Sequence, residues 1–388
     1  MNYGNKSLLV HKKYRGKIEI KAKVPTKNKD DLSVAYTPGV AEVSKLLARD
    51  SSAAYTHSIK ANTILIITDG SAVLGLGNIG PLGALPVMEG KALLFKIFGN
   101  VDAFPICLDT QDTEEIIKTI KNIAPAFGGI NLEDISAPRC FEIEQRLKKE
   151  LAIPVFHDDQ HGTAIVVLAA LINALTVVKK KKENVKIVIN GAGAAAQAIL
   201  HLVVKAGFSA KKITMLDSRG IISKNRKNLD DYKQKIAQNT NGDSVEGGLR
   251  EAINNSDVFI GVSVKDVLTV EMVKSMSENP IVFAMANPNP EISYKEAKKA
   301  KISVFGTGRS DYPNQINNVL AFPGIFRGVL DSRVREITDE MKIAASYAIA
   351  SLIPKSKLKN NYIIPNPFDK RVAKAVAKAI VSANKHNI

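Results

Sequence analysis

The chain has 388 residues, 45% hydrophobic and 24% charged, which leaves room for two domains with cores of their own and matches an ordinary globular composition. Its formal net charge is +16, yet the lysines are scattered, Trp is absent and no arginine-rich or aromatic-interleaved tract occurs; this argues against a nucleic-acid partner and for a basic surface that attracts anionic metabolites. Two cysteines, Cys107 and Cys140, exclude a disulfide framework and point to the cytoplasm, no apolar run is expected to span a membrane, and the polar start MNYGNKSLLVHKK lacks a signal-peptide core.

Residues 1–30 read as an irregular basic arm with at most one hairpin. From 31 to 160, short apolar strands ending in acids (63–69, 101–109 and 153–159) alternate with helices at 85–97 and 112–123, the rhythm of a parallel α/β layer. A helix at 162–178 then opens a second series: strand 186–190, helix 194–206 and strand 212–217. After a polar, looped stretch at 218–246 come strands 258–262, 281–287 and 302–308, a long helix around 333–352, and an amphipathic helix at 368–384 that packs back on the body. The fold class is therefore α/β, with an N-terminal domain over 1–160 carrying a small parallel sheet and a doubly wound, Rossmann-type nucleotide-binding domain over 161–388.

Two glycine runs compete for a dinucleotide. Gly75-Leu-Gly77-Asn-Ile-Gly80 spells G-x-G-x-x-G, but Pro81 follows at once and the run lies well after its strand, so it is read as a loop beside the substrate that does not open directly into a helix. Gly191-Ala192-Gly193-Ala194-Ala195-Ala196 follows strand 186–190 directly and runs into a helix. That geometry brings pyrophosphate close to backbone amides at a helix N-terminus. The next strand ends in Asp217, placed for the adenosine ribose hydroxyls, with Ser218 and Arg219 after it. The acid favours NAD and the arginine could accommodate the 2′-phosphate of NADP, so the preference stays open.

The segment FHDDQHGTA (156–164) sets Asp158 and Asp159 between His157 and His161, ahead of a long apolar helix. One aspartate there would serve as an N-cap. Two, with a second acidic pair at Glu133-Asp134, point to a metal, because ionised carboxylates beside so much apolar sequence are costly without a cation. Lys91 lies in the apolar helix LPVMEGKALLFKIF, where desolvation would lower its pKa toward that of a general base; the plain alternative is a lysine snorkelling from an amphipathic helix. Tyr36 precedes Thr37-Pro38-Gly39, a turn that often needs no more than packing.

Taken together, VAYTPGVAEV (34–43), TDGSAVLGLGNIGPLGALPVMEGKALLFK (68–96), NLEDI (131–135), FHDDQHGTAIV (156–166), NGAGAAA (190–196), ANPNPE (286–291) and NQINNVLAFPG (314–324) resemble the motif series of the malic enzymes, in the order of the short bacterial subunits and over essentially the whole chain. The resemblance implies oxidative decarboxylation of malate to pyruvate and CO2 with NAD or NADP. It makes Tyr36 the general acid, Lys91 the general base, and Glu133, Asp134 and Asp159 the ligands of Mg2+ or Mn2+. Asp158 becomes a supporting partner of the metal site, and His157 and His161 become local structure. Asn287 and Asn317 fall near malate and nicotinamide, Asn318 beside them, and Thr163 at the helix entry near the dinucleotide. A homodimer is expected, as is the lack of the phosphotransacetylase-like extension of longer relatives. One departure stands out: longer members carry an arginine after TDG where this chain has Ser71-Ala72, so the malate carboxylate would need another partner, such as Asn78 and the amides of 75–80. Rival readings are a malolactic enzyme that retains NADH, an amino-acid type dehydrogenase, which would not need the three carboxylates together, and a nucleic-acid binder.

Overall fold

The computed structural model describes residues 3–73 and 75–385, so the expected domain limits at 1 and 388 lie outside it. Helices α1 (Tyr3–Tyr14), α2 (Lys29–Ala35), α3 (Val40–Arg49) and α4 (Ala54–His57) come first. Alternation follows: β1 (Thr63–Thr68), α5 (Gly80–Gly99), β2 (Asp102–Cys107), α6 (Thr113–Ile123), β3 (Ile130–Leu132), α7 (Arg139–Glu150) and β4 (Val155–His157). The four strands form a parallel sheet in the order β2-β1-β3-β4. Every residue of β1, TILIIT, is buried, as a strand covered on both faces requires. Its side chains alternate: Ile64 and Ile66 pack with Met88 and Phe95 of α5, while Leu65 and Ile67 pack with Ile116 and Ile143 of α6 and α7.

Helix α8 (Asp158–Val178) leads into β5 (Ile187–Asn190), α9 (Ala194–Lys205), β6 (Ile213–Asp217), β7 (Gly220–Ile221), α10 (Asp231–Asn239), α11 (Leu249–Ile253), β8 (Val258–Gly261), α12 (Val270–Lys274), β9 (Ile281–Ala284), α13 (Tyr294–Lys299) and β10 (Val304–Thr307). These strands order as β10-β9-β8-β5-β6-β7, all parallel except β7, which runs antiparallel to β6. The strand order reverses between β5 and β8, and ligands of doubly wound sheets bind at that crevice. Helices α14 (Phe322–Ser332), α15 (Asp339–Ser351) and α16 (Arg371–Lys385) close the chain; α14 and α16 pack on each other and on α5 of the first sheet. One core thus runs through α5, α8 and α14 and joins the two sheets.

Several elements differ from the sequence reading. Residues 3–14 are helical rather than irregular, because NKSLLVHKKY lacks breakers and His11 hydrogen-bonds the Ser7 carbonyl one turn back. The stretch 218–246 holds β7 and α10, the latter started by Asp230, whose side chain accepts from the Lys233 amide. The long helix around 333–352 is α15 alone and begins only at Asp339, after the Thr338 cap; residues 322–332, to which the sequence reading assigns no element, form α14, which ends where Arg333 turns left-handed. The strand expected through 159 stops at His157, so the 160/161 boundary falls inside α8. Gly80 is the first residue of α5, so the 75–80 run does open into a helix. Finally, α8 is long and apolar enough by composition to cross a membrane; in the fold, 14 of its 21 residues are buried, and it packs against α9 and α15.

Asn173 is the polar exception within α8. Its amide donates to the carbonyls of Ala350 and Ile363, both at 2.9 Å, and so ties α15 and the segment before α16 to the core. Asn173→Ala should destabilise the protein by about 2–4 kcal/mol, because both buried carbonyls lose their donor. Urea unfolding followed by circular dichroism measures this; a loss below about 1 kcal/mol, the usual net worth of one hydrogen bond, would show the tie to be unimportant.

Candidate active site

Three parallel strands of the first sheet end at one crevice, and each ends in acids. Asp69 follows β1, Glu133 and Asp134 follow β3, and Asp158 and Asp159 follow β4. Asp158 and Asp159 are the first two residues of α8, whose N-cap is His157 without a side-chain cap, so neither aspartate serves as the N-cap. Their charge there suits the helix dipole. Asp134 takes a left-handed backbone (φ +53°), and its amide donates to Asp159 Oδ2 at 2.9 Å. The oxygens of Glu133, Asp134 and Asp159 lie within 4.8 Å of one another. Burial, and then the negative charges of Asp159, Asp158 and Asp134, push the Glu133 carboxyl well above its usual range against the pull of Lys91. An all-carboxylate oxygen set under such mutual repulsion fits a hard divalent cation, and no thiolate joins it.

Lys91 reaches into this corner from α5 and is buried. Its Nζ lies 2.8 Å from Glu133 Oε1, 2.5 Å from Asp158 Oδ2 and 4.2 Å from the centre of the Phe322 ring. The expected lowering of its pKa is not what this arrangement gives. Burial alone would lower it, but the charges of Asp158 and Glu133 outweigh that effect and hold the ammonium well above the ordinary lysine range. Asn318 also donates to Asp158 Oδ2, at 2.5 Å, and Asn131 donates to Glu133 Oε2 at 2.7 Å, fixing both carboxylates.

A second layer holds the acids in place, and sequence reasoning missed it. Glu144 of α7 accepts from the His157 amide at 3.2 Å, lies 2.8 Å from His161 Nε2 and pairs with Lys148 at 2.8 Å. Burial drives the His161 imidazole down to about 4, so it is neutral beside Glu144. His157 places Nε2 3.3 Å from Asp159 Oδ2. Asp69 accepts from the amide and hydroxyl of Ser71 at 2.9 and 2.6 Å and pairs with Arg139 at 3.0 Å. No simple spacing announces Glu144 or Arg139, because their partners are distant in sequence.

The fingerprint lies in the second sheet at the reversal point. Gly191 sits at φ +131°, and a Cβ there would lie 2.6 Å from the Val262 carbonyl oxygen, so only glycine fits. Gly193, by contrast, faces open space. Gly191, Ala192 and Gly193 line a cavity of about 1060 Å³ together with Asp217, while Ala194 and Ala195 start α9 behind it. Glu291, fully buried, accepts from the amides of Ser263 and Ala286 at 3.0 and 3.1 Å and so anchors the turn that carries Asn287.

The remaining candidates are placed less directly. Thr163 lies one turn into α8 beyond Asp159, and the side chain of Asn317 caps the turn at Val319. Asn287 is exposed, but its carbonyl lies against Gly75, where a Cβ would come within 2.6 Å, so the glycine loop of the first sheet meets the nucleotide unit there. Asn78 pairs with Gln111 rather than presenting a free amide. Tyr36 is 67% exposed between α2 and α3, and its hydroxyl makes no hydrogen bond among the described residues.

The malic enzyme N-terminal domain family matches residues 15–148, and the malic enzyme NAD-binding domain family matches residues 160–384. The chain is 56% identical over 384 residues to the bifunctional malic/malolactic enzyme of Bacillus subtilis, covering 99% of this chain and 93% of that protein. It is 46% identical to the NADP-dependent malic enzyme of Rhizobium meliloti, over 95% of this chain and 50% of that longer protein. The crystal structure of the NAD-dependent malic enzyme from Thermotoga maritima superposes with a TM-score of 0.93 at 47% identity, over 97% of this chain and 98% of that one. With both family domains present, and with the acids and the glycine turn at the crevices of their two sheets, this chain belongs to the malic enzyme family.

Proposed function

We propose that this chain oxidises and decarboxylates (S)-malate to pyruvate and CO2 with reduction of NAD or NADP, using Mg2+ or Mn2+ held by Glu133, Asp134 and Asp159. The observation that carries the reading is the shared corner: Lys91 contacts Glu133, itself a member of the three-carboxylate set, in a chain whose other sheet holds a dinucleotide turn. When bound, the cation would polarise the C2 oxygen of malate, stabilise negative charge there during decarboxylation, and draw Glu133 away from Lys91. Lys91 takes the C2 hydroxyl proton as the C2 hydrogen leaves as hydride; to do so it must first be neutral, and Asp158, 2.5 Å away, is the acceptor within reach. After CO2 departs, Tyr36 protonates C3 to give pyruvate.

Tyr36 stands on an arm that needs covering. Helices α1, α2 and α3 bury no residue, and Leu8, Leu9, Ile20, Leu32 and Val34 are exposed with Tyr36. A second copy of the chain supplies that cover in this reading, which makes the enzyme a homodimer, working in the cytoplasm with its cysteines reduced. Light scattering on a size-exclusion column should give twice the chain mass at micromolar concentration, and a stable monomer would refute the assembly.

A malolactic activity is the second reading, favoured by the name of the Bacillus subtilis relative. Net NADH formation from malate with pyruvate as product supports the first reading, and lactate formed without net NADH supports the second.

Asp159→Asn or Glu133→Gln should abolish malate turnover while the far-ultraviolet circular dichroism stays unchanged, since each removes a charge and a ligand from the cation site. Calorimetric titration with Mn2+ should show binding in the parent protein and none in the variants. A variant that keeps full, Mn2+-dependent activity would overturn the ligand assignment.

The two acid–base residues should fail differently. Tyr36→Phe removes only the C3 proton donor, so malate turnover should fall about 10²–10⁴-fold while NADH-linked reduction of a simple 2-oxo acid survives. Lys91→Ala should lose both, because hydride transfer in either direction requires the proton on the C2 oxygen to be managed. Equal loss of 2-oxo acid reduction in the two variants would show that the labour is not divided this way.

A further inference from the structure

Malate carries two carboxylates, and the chemistry proposed above keeps one of them, at C1, in pyruvate. That charge calls for a fixed cation at the crevice, and most cations there are already engaged. Lys91 lies between Glu133 and Asp158. Arg139 is taken by Asp69 and by the Ser136 hydroxyl, each at 3.0 Å. Arg226 holds Asp217 at 2.7 Å in the dinucleotide cavity. The glycine loop, the partner expected from sequence, is engaged as well. The amides of Leu76 and Gly77 donate to the Val73 carbonyl, those of Ile79 and Gly80 donate to the Gly70 carbonyl, and the Asn78 side chain pairs with Gln111.

Arg309 is placed differently. It stands in the loop 308–317 that leads from β10 to Asn317. At the start of this loop the Asn287 side chain packs on Gly308, with Nδ2 3.4 Å from where a Cβ would stand. Just past its end, Asn318 donates to Asp158, the partner of Lys91. Its base is closed at Thr307, whose amide donates to the Asn314 carbonyl at 3.2 Å and whose carbonyl accepts from the Ile316 amide at 2.8 Å. The loop therefore runs between the Asn287 turn and the Lys91 corner. Arg309 sits at the Asn287 end, where Nη1 donates to the Pro288 carbonyl at 3.3 Å.

The guanidinium is held along one edge. Nε and Nη2 donate to the two oxygens of Asp311 at 2.8 and 2.7 Å, and the Tyr312 ring lies 5.3 Å away, so its plane is fixed. Each terminal nitrogen keeps a further N–H, which leaves a second two-point edge. Among the described residues the Pro288 carbonyl is the only acceptor at those nitrogens apart from Asp311. The side chain is 33% exposed, so a ligand can reach it.

On the malate chemistry of the preceding reading, on which this assignment rests, we propose that Arg309 binds the C1 carboxylate of malate, and of the pyruvate that retains it, through its open edge, and that Asp311 positions the guanidinium. The same contact on C4 would oppose the reaction, because that carboxylate gives up its charge as CO2 forms and binding it stabilises the reactant alone. The C1 carboxylate keeps its charge throughout, so Arg309 holds it equally well before and after the bond breaks.

The test is steady-state malate oxidation by the full chain with Mn2+, with pyruvate binding read as product inhibition. Arg309→Gln should raise KM for malate about 10–100-fold, the worth of a charge-assisted contact, with kcat within about threefold, because a uniformly held group contributes to binding alone. The inhibition constant for pyruvate should rise by the same factor. KM for the dinucleotide should stay within about threefold, which a general loosening of the loop would not spare. Arg309→Lys keeps the charge without the planar edge and should recover only part of the loss; it carries the test if the melting temperature shows the glutamine variant to be unstable. Asp311→Asn should raise KM for malate about 3–10-fold, and adding it to Arg309→Gln should cost nothing further, because it acts through Arg309. An unmoved malate KM, or a dinucleotide KM that rises with it, would overturn the role of Arg309. A rise for malate without one for pyruvate would overturn the assignment to C1, and additive losses in the double variant would overturn the role of Asp311. A parent protein that does not oxidise malate would overturn the underlying reading instead.

Discussion

The structure depends on how it tolerates negative charge at the carboxyl ends of β1, β3 and β4. Asp69, Glu133, Asp134 and Asp158 are all buried, and Asp159 is partly so, which water-free surroundings would not permit for isolated anions. Each has an answer. Asp69 has Arg139; Asp158 shares Lys91 with Glu133 and gains Asn318; Asp159 has His157 and the Asp134 amide. Lys91 is therefore structural in its own right, apart from the chemistry proposed for it. Breaking a buried ion pair by deleting one partner costs about 3–5 kcal/mol, so its loss strains the corner before any chemistry is asked of it. Lys91 is shared between Glu133 and Asp158, and the neighbouring carboxylates of Asp159, Asp158 and Asp134 still push the Glu133 carboxyl well above its usual range. The divalent cation proposed above would offset part of that charge.

Helix α8 links this electrostatic corner to the body of the protein. Its first turn carries Asp158 and Asp159; beyond Gly162 it becomes apolar on all sides and runs through the shared core against α9 and α15. Gly162 itself lies under Asp158, where a Cβ would sit 1.9 Å from Oδ1, so the helix has no side chain at the point where the carboxylate folds over it. A helix fixed in this way carries the positions of the acids into the nucleotide unit, since α9, which starts at the glycine turn, packs along it.

The periodic features of the chain were legible from sequence, and the distant pairings were not. Strands such as TILIIT and IVFA, and the strand-turn-helix-strand unit ending at Asp217, follow from local pattern, and the structure contains them within a few residues. The acids were legible because adjacent carboxylates beside apolar runs are hard to explain otherwise. Three kinds of feature escaped. Breaker-free polar segments such as 3–14 form helices without an apolar stripe to announce them. The charge state of Lys91 escaped because burial and ion pairing act in opposite directions, and the partner Asp158 lies 67 residues away. Glu144, Arg139 and Arg226 support other residues, so no motif of their own marks them, and Glu291 lies in ANPNPE without its anchoring role being legible there. The helix reading of α8 carried a different lesson: composition alone cannot separate a core helix from a membrane span, and only the packing around it decides.

The first sheet and the nucleotide unit meet at a close backbone contact. The Gly75 loop leaves β1 of the first sheet and touches the Asn287 carbonyl of the nucleotide unit, with no room for a Cβ between them. Gly70 is equally committed: it holds φ +67°, and a Cβ would lie 2.2 Å from the Gly80 carbonyl oxygen, so Gly70 lies directly against the start of α5. The same helix carries Lys91, and the same turn carries Asn287 on the buried Glu291 anchor. The glycines of this loop thus hold it close both to the start of α5 and to the nucleotide unit. Through these contacts the glycine loop ties α5, and with it Lys91, to the turn of the nucleotide unit that carries Asn287.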